Sequence, residues 1–267
     1  MSQTAAARPP ILGEIDGARR STARRYRLTF ALAWAVILLL IGAAIYATGN
    51  RDTDWMAEFG PFILGGAGIT VVVCLLSIVL AVMLALFGAL GRLSANPIVN
   101  GIASFYVSLV RGTPLLVQIY FVYFSLPALG IILPAIQAGI LALGFNYGAY
   151  LTEIFRAGIQ AVPRGQREAA EALGMPERLV QRRIVLPQAT RIVIPAIGND
   201  FIAMIKDSAL VSLIGVQEVL WRAETTGRPA RNTLEAFIIA ALIYWGLTIV
   251  FSFFQERLER RMARGDR

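Results

Sequence analysis

Charged side chains are missing from several long stretches of this chain, and those gaps predict its architecture. A helix that crosses about 30 Å of hydrocarbon needs roughly 20 mostly apolar residues. Leu28 to Thr48 is one such run, and Pro61 to Gly91 is a second. The uncharged stretch from Gly112 to Thr152 is too long for one crossing and is punctuated by Pro127, Gly130 and Pro134, residues that mark turns. It therefore holds the end of a third span, placed at about Asn100 to Leu126, and the whole of a fourth, at about Ile131 to Phe155. A fifth, at about Ile192 to Val216, carries Asn199, Asp200, Lys206 and Asp207, and a sixth lies at about Ala236 to Gln255. The pattern predicts an all-α, polytopic membrane protein with six spanning helices.

Composition agrees with the pattern. Hydrophobic residues make up 57% of the chain and charged residues 16%, with a mean hydropathy of +0.63, beyond the range of soluble domains. There is no histidine, so the usual metal ligand and the usual general acid and base are both missing. No metal site and no catalytic set are expected, and an intramembrane enzyme is the least favoured function. The single Cys74 excludes a disulfide within the chain and reads as a small buried apolar residue.

Arginine placement gives an orientation, because basic residues are retained on the cytoplasmic side. Six arginines before the first span put the amino terminus inside. Six crossings then place nineteen arginines inside and leave four, Arg51, Arg222, Arg228 and Arg231, outside. Both termini are expected in the cytoplasm. The net charge of +8 follows from this asymmetry and from anionic lipid, so no nucleic-acid partner is expected. The basic leader and the apolar run after it are too long for an ordinary cleaved signal peptide, so the first span reads as a retained anchor.

One cytoplasmic segment, Gly165 to Ala189, stands out. Gln166 to Leu173 is rich in Ala, Glu and Leu and predicts a short helix, Gly174 can take the left-handed conformation that ends it, and Pro176 can open the next. Pro187 is expected to stop that second helix before the chain re-enters the bilayer. The product is a bent elbow. In its first arm Ala169, Ala172 and Leu173 share a face beside Glu168 and Glu171, and small alanines allow close approach of a partner.

The spacing is specific: Glu168-Ala169-Ala170, three residues, Gly174, nine residues, Ile184, one residue, Leu186-Pro187. In this it resembles the membrane permease subunits of bacterial binding-protein-dependent ABC importers, which carry this EAA motif. Arg111-Gly112-Thr113-Pro114 followed by Leu115 to Gln118, Gly198-Asn199, Lys206-Asp207-Ser208, and Tyr150, Glu153, Arg156 and Gly158 are similar to the polar amino-acid uptake branch. The resemblance covers about Gly66 to Glu256. It implies a five-helix, MetI-like type I importer core with one extra amino-terminal helix. Residues 1–60 would form the tail, extra helix and external loop, 61–256 the permease domain with its coupling loop at about 156–191, and 257–267 a basic tail.

The same resemblance implies partners in the bacterial inner membrane: a dimer of ABC ATPase subunits, a second permease subunit, identical or related, and an extracytoplasmic solute-binding protein. Glu168, Ala169, Ala170, Glu171, Leu173 and Gly174 would dock the ATPase, with Ile184, Leu186 and Pro187 at the return to the membrane. The chain has no G-x-x-x-x-G-K-[ST] phosphate loop, and its only lysine, Lys206, lies in a span. No cofactor is expected in this chain; ATP and magnesium would sit in the partner.

Ionisable groups inside a bilayer cost on the order of 3 kcal/mol each and must face protein or water. Arg111 and Asp207 lie at matched depth, about 20 Å along their helices at 1.5 Å per residue, which suggests a structural ion pair; Lys206 could pair across a subunit interface. Asn199, Asp200 and Lys206 supply both signs for a zwitterion pathway, with Gln118, Tyr147 and Tyr150 as neutral contacts. Two rivals remain at this level. An ion-gradient-driven secondary transporter would be expected to show paired repeats, and none is evident; a non-transporting scaffold does not explain the polar residues.

Overall fold

In the computed structural model, residues 10–47 and 52–263 are described, and they fall into two compact units, residues 1–52 and 53–267. The first contains one long helix, α1 (Pro10–Ala47). The second is helical throughout, with no strand among the described residues. Its first helix, α2 (Thr53–Leu64), passes through Gly65 into α3 (Gly66–Leu93). The sequence pattern places the end of the preceding external loop at residue 60. The structure instead folds Thr53 onward into the second unit, because Trp55 and Ile63 are buried against Val219, Ala223 and Ala236.

After α3, Asn96 caps α4 (Pro97–Arg111), its Oδ1 accepting from the backbone N–H groups of Ile98 and Val99 at 2.9 and 3.4 Å. The expected third span does not run straight to Leu126. The chain breaks at Gly112-Thr113-Pro114, where Pro114 offers no N–H and disfavours a helical conformation at Thr113. It turns by 107° into α5 (Leu115–Tyr120), a π-turn (Phe121–Ser125) and a 3-10 turn (Leu126–Leu129). Gly130, at φ 79°, closes this segment in the left-handed region.

Helix α6 (Ala135–Gln160) packs most extensively on α3. Small residues make that approach possible: Ala81, Ala85, Ala138 and Ala142 are buried in the core they share, a Cβ on Gly144 would meet Leu80 at 2.7 Å, and one on Gly148 would meet Leu84 Cβ at 2.9 Å. Cys74 is buried in the same core. The elbow follows as α7 (Arg164–Ala172) and α8 (Glu177–Val180), a second π-turn (Gln181–Val185) and α9 (Leu186–Asp207). A 3-10 stretch (Ser208–Ile214), α10 (Val219–Gly227) and α11 (Thr233–Ala263) complete the chain.

Among the described residues, Thr53–Leu93 and Thr233–Met262 are long and apolar enough to cross a membrane, and Pro97–Arg111 with Leu115–Leu129 qualifies as a bent third. Helices α6 and α9 do not, because glycines and polar side chains dilute them. Between them they carry Tyr147, Tyr150, Asn199, Asp200, Lys206 and Asp207, while Arg111 and Gln118 lie on α4 and α5.

Candidate functional site

The elbow forms as the sequence predicts up to its second arm. Gly174 has φ 72°, and the N–H groups of Leu173, Gly174 and Met175 close the end of α7 onto the carbonyls of Ala169, Glu171 and Ala170. Ala170 turns inward, buried with Val162, Val180 and Val185 in a small core of its own. It is therefore unavailable to a partner, a correction to its place in the docking set. Glu168, Ala169, Glu171, Gly174, Leu186 and Pro187 are exposed and Ile184 is half-buried. Leu173 stands out at 82% exposed, an apolar knob on the tip of the loop. Pro187 does not stop a helix. The π-turn just before it shifts the backbone pairing, and Pro187 sits in the first turn of α9, where its missing N–H costs little.

The loop joins the spans through an ion-paired knot. Glu153 on α6 accepts from Arg92 Nε at 3.1 Å through Oε1, and through Oε2 from Arg156 Nε and Nη2 at 3.0 and 2.7 Å. Arg92 also donates to Ser104 on α4, and its carbonyl accepts from Asn100 at 2.7 Å. The ends of α3, α4 and α6 are thus held together just ahead of the loop.

Within the spans, Asp207 accepts from the Tyr147 hydroxyl at 2.8 Å, while the Arg111 guanidinium lies over the Tyr150 ring, 5.2 Å from its centre. The expected Arg111–Asp207 ion pair is therefore not formed: each group has another partner, and the break after Arg111 turns the chain away. Gln118 also departs from expectation. Its Nε2 donates to the Val110 carbonyl (2.8 Å) and to the carbonyl and hydroxyl of Thr113 (3.1 and 2.9 Å), and its Oε1 accepts from Asn146 at 3.1 Å. Broken backbone at membrane depth has to be satisfied from within the protein, so this amide braces the bend and is not free for a solute.

The remaining path candidates divide between two stripes of α9. Asn199 and Lys206, seven residues or two turns apart, are exposed. Asp200 and Asp207, with the same spacing, are half-buried, and Asp200 Oδ2 is a buried oxygen with no hydrogen-bond partner among the described residues. Tyr147 is buried and Tyr150 exposed.

Residues 77–264 match the family described as binding-protein-dependent transport system inner membrane component. The chain belongs to that family. Among its relatives, the arginine transport system permease protein ArtQ of Bacillus subtilis is 41% identical over 207 residues, 77% of this chain and 94% of that protein. The L-cystine transport system permease protein TcyB of the same species is 40% identical over 210 residues, 78% of this chain and 89% of that one. The crystal structure of an amino acid ABC transporter with histidines superposes with a TM-score of 0.76 at 39% identity, covering 80% of this chain and 100% of that chain. An inward-facing MetNI methionine ABC transporter shares the fold, with a TM-score of 0.57 at 17% identity over 80% of this chain and 99% of that one.

Three features of this permease escaped the sequence reading. Glu218, fully buried, caps α10 by accepting from Trp221 N–H at 3.0 Å, and also accepts from Thr70 on α3 (3.3 Å) and from the Tyr244 hydroxyl on α11. Gln255 on α11 packs onto Gly198, where any Cβ would strike its amide, and donates to the Pro195 carbonyl at 2.6 Å. Asn146 orients Gln118. Apart from the Trp221 N–H, three residues from Glu218, each partner lies far away in sequence, and no local pattern marks those contacts. Only Gly198, one of the residues of the resemblance, carried a trace: a bare Cα where another helix comes close.

Proposed function

We propose that the chain is the membrane subunit of an ATP-driven importer of amino acids, coupled to a separate ATPase through the loop at residues 164–187. The observation that carries this reading is the loop's build. An exposed apolar knob, Leu173, is held next to a left-handed glycine on a private buried core, as a rigid lever requires. Membership of the family supports the same conclusion. Relatives named for arginine and cystine transport support amino acids as the substrate class. The loop and both termini would lie in the cytoplasm, and a solute-binding protein would deliver the substrate from outside.

In this reading two permease subunits form the pathway between them. Closure of the ATPases, driven by ATP and magnesium bound there, pulls the loops, and α9 moves with its loop because α8, the π-turn and α9 form one unbroken helical path. Asp200, with its unpartnered oxygen, would accept from the substrate ammonium, and Asn199 and Lys206 would meet the carboxylate.

Leu173→Asp in the complex, reconstituted with its ATPase and binding protein, is expected to remove substrate-stimulated ATP hydrolysis and uptake while the chain still inserts. The substitution places a charge where an apolar contact is required and leaves the buried Ala170 core untouched. Wild-type uptake by this variant would overturn the docking role.

A further inference from the structure

A groove of about 840 Å³ lies between the spans and the elbow, on the membrane side of α7. Its floor is mostly apolar, with Leu90 and Leu93 from the end of α3, Ile159 from the end of α6 and Leu186 from the start of α9, and the amides of Gln160 and Gln181 beside them. Its rim carries Arg164 and Arg167. Arg167 is half-buried and spends one N–H on the Ile159 carbonyl at 3.1 Å, which leaves most of its donor fork facing the groove. Arg164 is exposed and forms no ion pair among the described residues.

Among the described residues, no acidic side chain lines the groove. The nearest on α7 are Glu168 and Glu171, each one turn from an arginine of the rim, and among the described residues neither is ion-paired with Arg164 or Arg167; Glu153 is held by Arg92 and Arg156, and Glu177 by the Gln181 amide at 2.6 Å. Two guanidinium groups thus stand without an ion-pair partner among the described residues, over a mostly apolar floor where α3 and α6 end and α9 begins. The ATPase-facing knob Leu173 borders a separate hollow of about 360 Å³ with Ala169 and Ile184.

We propose that this groove binds an anionic phospholipid of the adjoining leaflet, its phosphate held by Arg164 and Arg167 and the start of an acyl chain laid on the leucine floor. Charge complementarity and position select the ligand: a phosphodiester matches the planar forks, and a basic pocket between helix ends at the cytoplasmic surface is where anionic headgroups concentrate. The site rests on the proposed cytoplasmic placement of the loop. It would tie the seating of the elbow to the lipid beneath it.

The test uses the full chain, alone and in complex with its ATPase, in nanodiscs of phosphatidylcholine with a minority of phosphatidylglycerol; native mass spectrometry then counts the lipid retained per chain. Preferential retention of phosphatidylglycerol is expected in both forms. Arg164→Gln with Arg167→Gln should cut that preference roughly tenfold or more, and Arg164→Lys with Arg167→Lys should keep most of it. Arg178→Gln with Arg182→Gln, on the same loop outside the groove, should leave it unchanged.

Loss of the preference in that control to the same extent would overturn a specific site, as would wild-type retention in the Arg164/Arg167 glutamine pair. Retention confined to the chain stripped of its ATPase would assign the groove to the partner protein, and displacement by glycerol 3-phosphate would reduce it to a free-anion site; either result overturns the proposal. If the glutamine pair cannot be recovered folded, an absence of any preference in the wild type decides against it. Lipid retention is read without transport, so failed uptake with intact retention would strike the proposed function and leave this site standing.

Discussion

Gln118 shows how one side chain can be read for its chemistry and still be misplaced. An uncharged amide in a span suggests a solute contact, yet here it satisfies three acceptors exposed by the Gly112-Thr113-Pro114 break and takes a bond from Asn146. Gln118→Leu is expected to cost about 1–2 kcal/mol by orphaning those groups, seen as a lower melting temperature of the purified protein. The sequence made the break visible through its proline but not the brace, because a hydrogen bond from α6 to α5 leaves no trace in local spacing. Arg111 and Asp207 illustrate the same limit. Their matched depth was legible, while Tyr147 and Tyr150, which take them up instead, are set by which faces of α4, α6 and α9 meet.

At the scale of elements, the elbow was the most legible part, because its signals are short-range: a helix-forming run, a glycine at positive φ and a proline after it. Gly174→Ala forces an L side chain into the left-handed region and is expected to cost about 1–2 kcal/mol, detectable as faster proteolysis of the loop with the spans intact; space is not the obstacle, since nothing lies within 4 Å of the added Cβ. Misread were the helices entering Leu-Pro pairs. Leu126-Pro127 and Leu186-Pro187 are each preceded by a π-turn, Phe121–Ser125 and Gln181–Val185. Proline at these points reads as a stop; a widened turn ahead of it lets the helical path continue.

For the whole molecule, hydropathy identified the class and the strongest spans, and the apolar pattern also located α6 and α9 at about Ile131 to Phe155 and Ile192 to Val216, although neither is apolar enough to qualify as a spanning helix by composition. In the proposed assembly, the exposed stripe of α9 would meet a second permease. Asn199→Cys is expected to give an oxidation-dependent crosslinked pair of permease subunits, in this chain's own dimer or with a relative given the matching cysteine, on denaturing gels; Cys74 is buried and would stay silent. The π-turn at Gln181–Val185 bears on the same assembly. It fixes the rotational phase between the tip of the loop and everything downstream, so deleting one residue there would swing the tip by about 100° relative to α9 and point Leu173 away from the ATPase proposed to dock there. Insertions and deletions should be tolerated in the connection after α10, as judged by retained uptake, and rejected in this turn. Seen this way, the five residues work as a keyed shaft whose length is part of the machine's timing.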